Sequence, residues 1–83
     1  MTVKEAADKV RNTFKGCEII EAMPGNNRFI FCVKPSDSKE KIVLDSYYSV
    51  DNKTGAVNPF PYGKYREEWL KGMDHQYKKN EYE

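Results

Sequence analysis

Three side chains in this sequence could act as a nucleophile, a base or a soft metal ligand: Cys17, Cys32 and His75. A thiolate nucleophile needs a base within hydrogen-bond reach. The single imidazole, His75, falls in a helical C-terminal segment, whereas both cysteines fall in extended segments, so no Cys–His pair is expected. A structural zinc site usually takes four Cys or His ligands at close spacing, and these three residues are not at ligand spacing. The loop Asp51-Asn52-Lys53-Thr54-Gly55 carries side-chain oxygens, as calcium loops do. It lacks the alternating oxygens and closing glutamate of an EF-hand and reads as a tight turn. Gly25 and Gly55 are isolated, so no phosphate-cradling run exists. Asp45 stands in an otherwise apolar strand, where a buried carboxylate would titrate high and mark a site. Its parity is opposite to that of Leu44, and it is expected to face solvent. The chain is therefore expected to have no catalytic residue, no cofactor and no metal.

The remaining chemistry is aromatic. Phe60, Tyr62, Tyr65, Trp69, Tyr77 and Tyr82 crowd the last third of a chain whose aromatics are one Trp, six Tyr and four Phe. Trp and Tyr bury large areas at small entropic cost, which is why they dominate binding hot spots. The same rings could instead cover an open sheet face. As a binding surface, the candidate residues are Phe60, Tyr62, Tyr65, Trp69 and Met73, with Phe60 as the hinge into the patch. Lys64, Arg66, Lys71, Lys78 and Lys79 interleave with the rings, as in single-stranded nucleic-acid binders. Glu67, Glu68, Asp74, Glu81 and Glu83 cancel that charge.

The elements that must position these residues follow from periodicity. Val3, Ala6, Ala7, Val10 and Phe14 recur at i, i+3, i+4, i+7 and i+11, one face of a helix. Thr2 and Glu5 stand at capping-box spacing, and Gly16 supplies a left-handed stop. Cys17–Met23 reads as a first strand, ended by the turn Pro24-Gly25-Asn26-Asn27. Arg28–Lys34 is a second, apolar at both parities and so central. A polar loop, Pro35–Lys41, leads to a third strand, Ile42–Val50. Ile42, Leu44, Tyr48 and Val50 face the helix; Val43, Asp45 and Tyr47 face away. Ala56–Asn58 is a short fourth strand, stopped by Pro59-Phe60-Pro61 because proline cannot donate to a ladder. Tyr65, Trp69, Met73 and Tyr77 sit four apart on one C-terminal helix, with Leu70 beside them. Gly72 should weaken that helix by about 1 kcal/mol relative to alanine, and residues 78–83 are expected to fray.

The 83 residues make one expected domain, 1–83, with room for one core and little for a deep pocket. The predicted class is α+β: an N-terminal helix packed on a four-stranded antiparallel meander, with a C-terminal helix covering the other face or the edge. Fourteen basic and 13 acidic residues are interspersed, which excludes a general polyanion binder. No apolar run approaches the ~20 residues that span a bilayer, and no secretory signal opens the chain, so a cytoplasmic location is expected. Without that signal the acceptor-like Asn52-Lys53-Thr54 has no consequence, and the two cysteines read as small packed thiols.

The helix–strand–strand–strand order closing on Val50-Asp51-Asn52-Lys53-Thr54-Gly55-Ala56-Val57 resembles PepSY-type domains. It is also similar to small hypothetical proteins encoded by phages and prophages of Gram-positive bacteria, which often follow this turn with an element like Asn58-Pro59-Phe60-Pro61. The resemblance covers residues 3–61. It implies a fold and an association with regulation or inhibition of another protein, in a host cytoplasm where the chain is phage-encoded; it implies no catalytic residue. The expected function is a non-enzymatic protein-binding or accessory domain, with a homodimer as one use of the patch. The alternative is a small single-stranded nucleic-acid-binding protein using the C-terminal aromatic and basic helix.

Overall fold

A computed structural model describes residues 1–35 and 47–83. The order is α1 (Val3–Thr13), β1 (Cys17–Pro24), β2 (Arg28–Pro35), β3 (Tyr47–Asp51), β4 (Val57–Pro59), α2 (Arg66–Met73) and α3 (Lys79–Tyr82). The four strands form one antiparallel sheet in the order β1-β2-β3-β4. This is the predicted α+β meander, with β2 running one residue further than read, to Pro35, and β4 shifted by one. The expected polar loop from Ser36 to Lys41, and the expected start of the third strand at Ile42, Val43, Leu44 and Asp45, lie outside the described residues.

The first face is built as the periodicity requires. Thr2 accepts from the Glu5 N–H while the Glu5 carboxylate accepts from the Thr2 N–H, a complete capping box. Gly16 takes φ +82° just past the helix, a conformation costly for residues with a Cβ. Ala6, Ala7 and Val10 of α1 pack on Ile19, Ala22, Phe31, Val33 and Val50 of the sheet. Ile19 and Ala22 differ in parity yet share this face because the register shifts between Ile19 and Glu21, a β-bulge that re-aims the strand. Beyond the bulge, Glu21 pairs with Cys32 and Met23 with Ile30, on the opposite face.

The two cysteines are consequently held apart. Cys17 packs with the α1-side cluster, whereas Cys32 shares the parity of Ile30 on the other side. Cys17 lies opposite Pro35 in the ladder, three residues along from Cys32, roughly 10 Å at strand rise. That spacing exceeds disulfide reach, and both thiols are free.

The C-terminal segment departs from the expected single helix. It breaks after Met73, and Tyr77 does not continue the stripe of Trp69 and Met73. Gly72 lies against the Pro24 carbonyl, and the Tyr77 N–H donates to the Ala22 carbonyl at 2.9 Å. The chain thus crosses the outer edge of β1, an edge whose backbone groups need partners. A straight helix would have to leave that edge, so the helix ends. Tyr77 then packs on the α1-side cluster, 6.2 Å from Phe29 between ring centroids. Residues 78–83, expected to fray, include α3, which packs on α1 with Tyr82 only 4% exposed. The Arg11 guanidinium donates to the Tyr82 carbonyl, fixing this last turn.

Candidate functional site

The second sheet face carries the predicted patch. Met23, Ile30 and Phe60 form a small buried cluster, with Tyr47, Tyr62, Trp69 and Met73 packed around it. Four of the five predicted residues therefore converge here, and Tyr65 joins by stacking on Phe60 at 5.8 Å and 29°. Their exposures differ. Phe60 is 3% exposed and supports the patch from beneath, whereas Tyr65 is 37% exposed. Tyr62, Trp69 and Met73 are half-buried. Leu70, next to Trp69 on α2, is 45% exposed.

Local backbone chemistry places the rings. The Phe60 N–H still reaches the Tyr47 carbonyl at 2.9 Å, so the Pro59-Phe60-Pro61 segment extends the sheet by one bond before turning. The Lys64 and Tyr65 N–H groups then both donate to the Pro61 carbonyl, which winds the chain into α2. Tyr47, Tyr62 and Trp69 form a three-ring cluster. Centroids lie 5.3 Å apart for Tyr47–Tyr62, 5.3 Å for Tyr62–Trp69 and 6.1 Å for the edge-on pair Tyr47–Trp69. Such tilted contacts add about 0.5–1.5 kcal/mol each beyond area burial.

Sequence reasoning placed Tyr47 on this face but missed its part in the cluster, and it did not pair Arg28 with Glu68. The Arg28 guanidinium meets the Glu68 carboxylate through two bonds of 2.7 Å, and the Asn26 N–H adds a third at 3.0 Å. Arg28 also lies 4.8 Å from the Phe60 ring centroid and 4.7 Å from that of Tyr65. This arrangement ties α2 to the β1–β2 turn. The Arg28 hydrogen bonds hold the Glu68 carboxyl below its ordinary range and raise Arg28 in return. An arginine closing a turn, forty residues before an acidic helix start, leaves no readable spacing signal.

The thiols and His75 do not assemble. Burial, and secondly the Glu21 charge, push the Cys32 thiol up; burial pushes up Cys17 and the Tyr47 hydroxyl. Raised thiols are poor nucleophiles. His75 Nδ1 lies 2.9 Å from the Lys71 carbonyl, in a cleft lined by Pro24, Asn26 and Glu68 and by neither cysteine. Among the described residues no three His, Cys, Asp or Glu side chains cluster as a metal site would require. Asp51 instead accepts from the Lys53 and Thr54 N–H groups at 2.8 Å each, the expected turn, which lowers its carboxyl.

Beside the ring cluster runs an open apolar groove of about 420 Å³, lined by Tyr47, Pro59, Phe60, Pro61, Tyr62, Gly63 and Lys64. No protein-family model matches this α+β chain, and no curated protein or solved structure matches it. No described helix is long and apolar enough to cross a membrane.

Proposed function

We propose that the chain is a non-enzymatic protein-binding accessory domain whose contact surface is the aromatic patch of Tyr62, Tyr65 and Trp69, supported by Phe60 and Met73. The observation that carries this reading is the apolar groove beside the half-buried ring cluster, on a face that α2 covers incompletely. Tyrosine rings with polar tips suit a boundary that is wet when free and dry when occupied, whereas the Trp69 indole N–H is already buried. The helix–strand–strand–strand order over residues 3–61 is in keeping with a PepSY-like role, a phage- or prophage-encoded modulator or inhibitor of a host protein. Two unpaired thiols on opposite faces fit a reducing cytoplasm. Nucleic-acid binding is disfavoured because base stacking needs free ring faces. Trp69 already packs on two tyrosines, and Tyr65 packs on Phe60 and Arg28.

The test compares wild type with Tyr65→Ala/Leu70→Ser, two exposed positions whose loss leaves the core intact. Wild type should retain a specific polypeptide at moderate salt, and the folded variant should lose it. Equal recovery by both, with folding verified by circular dichroism, refutes the patch. Oligonucleotide binding that falls steeply with salt would replace it with the nucleic-acid reading.

A further inference from the structure

Among the described residues the only buried polar residue is Ser49, 5% exposed. Buried hydroxyls are ordinarily hydrogen-bonded within the protein. No described hydrogen bond uses that of Ser49, and the residue instead lines a recess of about 280 Å³ beside the β1–β2 turn. The register sets Ser49 between Ile30 and Asn58, two residues along β3 from Asp51, which pairs with Arg28, so these side chains share one sheet face. Asn27, Arg28, Asp51, Asn58 and Tyr65 line the recess with Ser49. Its polar groups have hydrogen-bonding capacity left over. Arg28 binds Glu68 through Nε and Nη2, which leaves Nη1 to donate. Asp51 takes both turn N–H groups on Oδ1, which leaves Oδ2 with capacity to accept. The Asn27 and Asn58 carboxamides, each a donor beside an acceptor, enter no described side-chain bond.

Charge narrows the ligand. Glu68 already matches the Arg28 charge and Asp51 would repel an anion, whereas a cation would meet Arg28. A neutral ligand avoids both penalties. The lining mixes donors with acceptors, and a hydroxyl can do both at one atom. Two neighbouring hydroxyls can also span the planar edge of a carboxamide, carboxylate or guanidinium with parallel bonds. The volume falls just below the ~300–1,000 Å³ of pockets for drug-sized ligands, so the ligand is small. Tyr65, 37% exposed, offers apolar surface at the border. We propose that this recess binds a neutral polyhydroxylated ligand of monosaccharide size, free or as the terminal residue of a glycan, with the Ser49 hydroxyl and the Asn58 carboxamide as its central contacts. The site goes beyond the protein-binding reading and does not depend on the ring groove.

The ¹⁵N-labelled full chain is titrated with glucose, galactose, mannose and N-acetylglucosamine, each as the free sugar and as its methyl glycoside. Acetamide and inorganic phosphate stand for the competing chemistries. At least one sugar should shift the amides of Asn27, Ser49, Asp51 and Asn58 together and saturate in the millimolar range. An equal response to its methyl glycoside assigns the site to a glycan terminus, and a response to the free form alone assigns it to a free sugar. Ser49→Ala should bind about fivefold more weakly, the loss of roughly one neutral hydrogen bond. Its Tm should be unchanged or higher, because no internal bond is lost. Asn58→Ala, at an exposed position, should stay folded and bind more weakly by a similar factor. Absence of saturable shifts with every sugar overturns the assignment, as does tighter binding of acetamide or phosphate at the same residues. Undiminished sugar binding by either variant overturns it too. So does a lower Tm for Ser49→Ala, which would show that its hydroxyl is already engaged inside the fold.

Discussion

Replacing Gly72 with alanine sets two well-calibrated effects against each other. In an exposed helix interior, alanine is better than glycine by about 1 kcal/mol, so propensity alone predicts a more stable protein. The surroundings predict the reverse. A Cβ at Gly72 would lie 2.9 Å from the Pro24 carbonyl oxygen and 3.0 Å from both Cγ and Sδ of Met23. Comfortable carbon contacts are about 3.5–4.0 Å, so α2 would have to withdraw from the β1 edge by roughly half an ångström. Met23 is fully buried and cannot swing aside, and the carbonyl belongs to a paired strand. Overpacking of this kind costs about 1–3 kcal/mol. The expected net result is a loss of about 1 kcal/mol, hence a Tm about 4–8 °C lower for a domain of this size. The single tryptophan, Trp69, lies on the same helix, packed on Tyr62, and reports unfolding by fluorescence. Gly63→Ala is the control, because nothing lies within 4 Å of its Cβ position; it should change stability by no more than about 0.5 kcal/mol. A higher Tm for Gly72→Ala would refute the close approach of α2 to β1.

Two further predictions concern the contacts that hold the C-terminal segment. Glu68 titrates below its unfolded value because Arg28 binds its charged form. Its stabilising contribution is therefore complete above the unfolded carboxyl value of about 4.3 and is lost as pH falls through the lower folded value. The urea-measured gap between wild type and Glu68→Gln should be constant above about pH 5 and narrow as pH falls below the unfolded carboxyl value; a gap independent of pH would show that the pair contributes nothing electrostatic. Tyr82→Ala should destabilise by about 3 kcal/mol, the usual cost of truncating a buried aromatic. A loss under about 0.5 kcal/mol, as for an ordinary surface change, would mean that α3 frays as composition suggests.

The sequence made some parts of this fold readable because their causes are local. A capping box, a glycine stop and an i, i+3, i+4 stripe each act within a few residues, and α1 ends where they place it. Strand parity gave both faces of β2, since a pleat alternates whatever packs on it. Parity misleads in β1, where the bulge puts Ile19 and Ala22 on one side and turns Glu21 towards Cys32. Nothing in Ile19-Ile20-Glu21-Ala22 marks an extra residue. The tail was misread for a related reason. Tyr65, Trp69, Met73 and Tyr77 keep helical spacing, yet the edge of β1 claims the Tyr77 N–H, and a tertiary partner overrides the local period. Tyr82 sits in a polar, charged hexapeptide and is buried only because α1 and β1 offer it a site. The ring patch was legible as composition, but whether each ring is support or surface depends on long-range contacts. Phe60 is support, and Tyr65 is surface.

Simple dimensions explain why the patch is aromatic and why its groove lies where it does. Four strands at about 4.8 Å spacing make a sheet roughly 14 Å wide between its outer strands, whereas a helix with its side chains is about 10 Å across. One helix cannot close that face. α2 lies towards β1, drawn there by the Gly72 approach and by the Arg28–Glu68 pair. Among the described residues, the β3–β4 side is covered by the Pro59–Lys64 segment, a single thickness of chain. A loop that thin can close a face only by laying large flat side chains over it, which Phe60 and Tyr62 do against Tyr47. Leucine would leave gaps at such a margin, and a phenol can keep one end wet while the other is buried. Among the described residues this thin cover leaves the groove open beside Tyr47 and Tyr62. The proposed binding surface and the structural cover are therefore one set of residues with two sides, the inner closing Met23 and Ile30 from water and the outer, on that proposal, facing a partner.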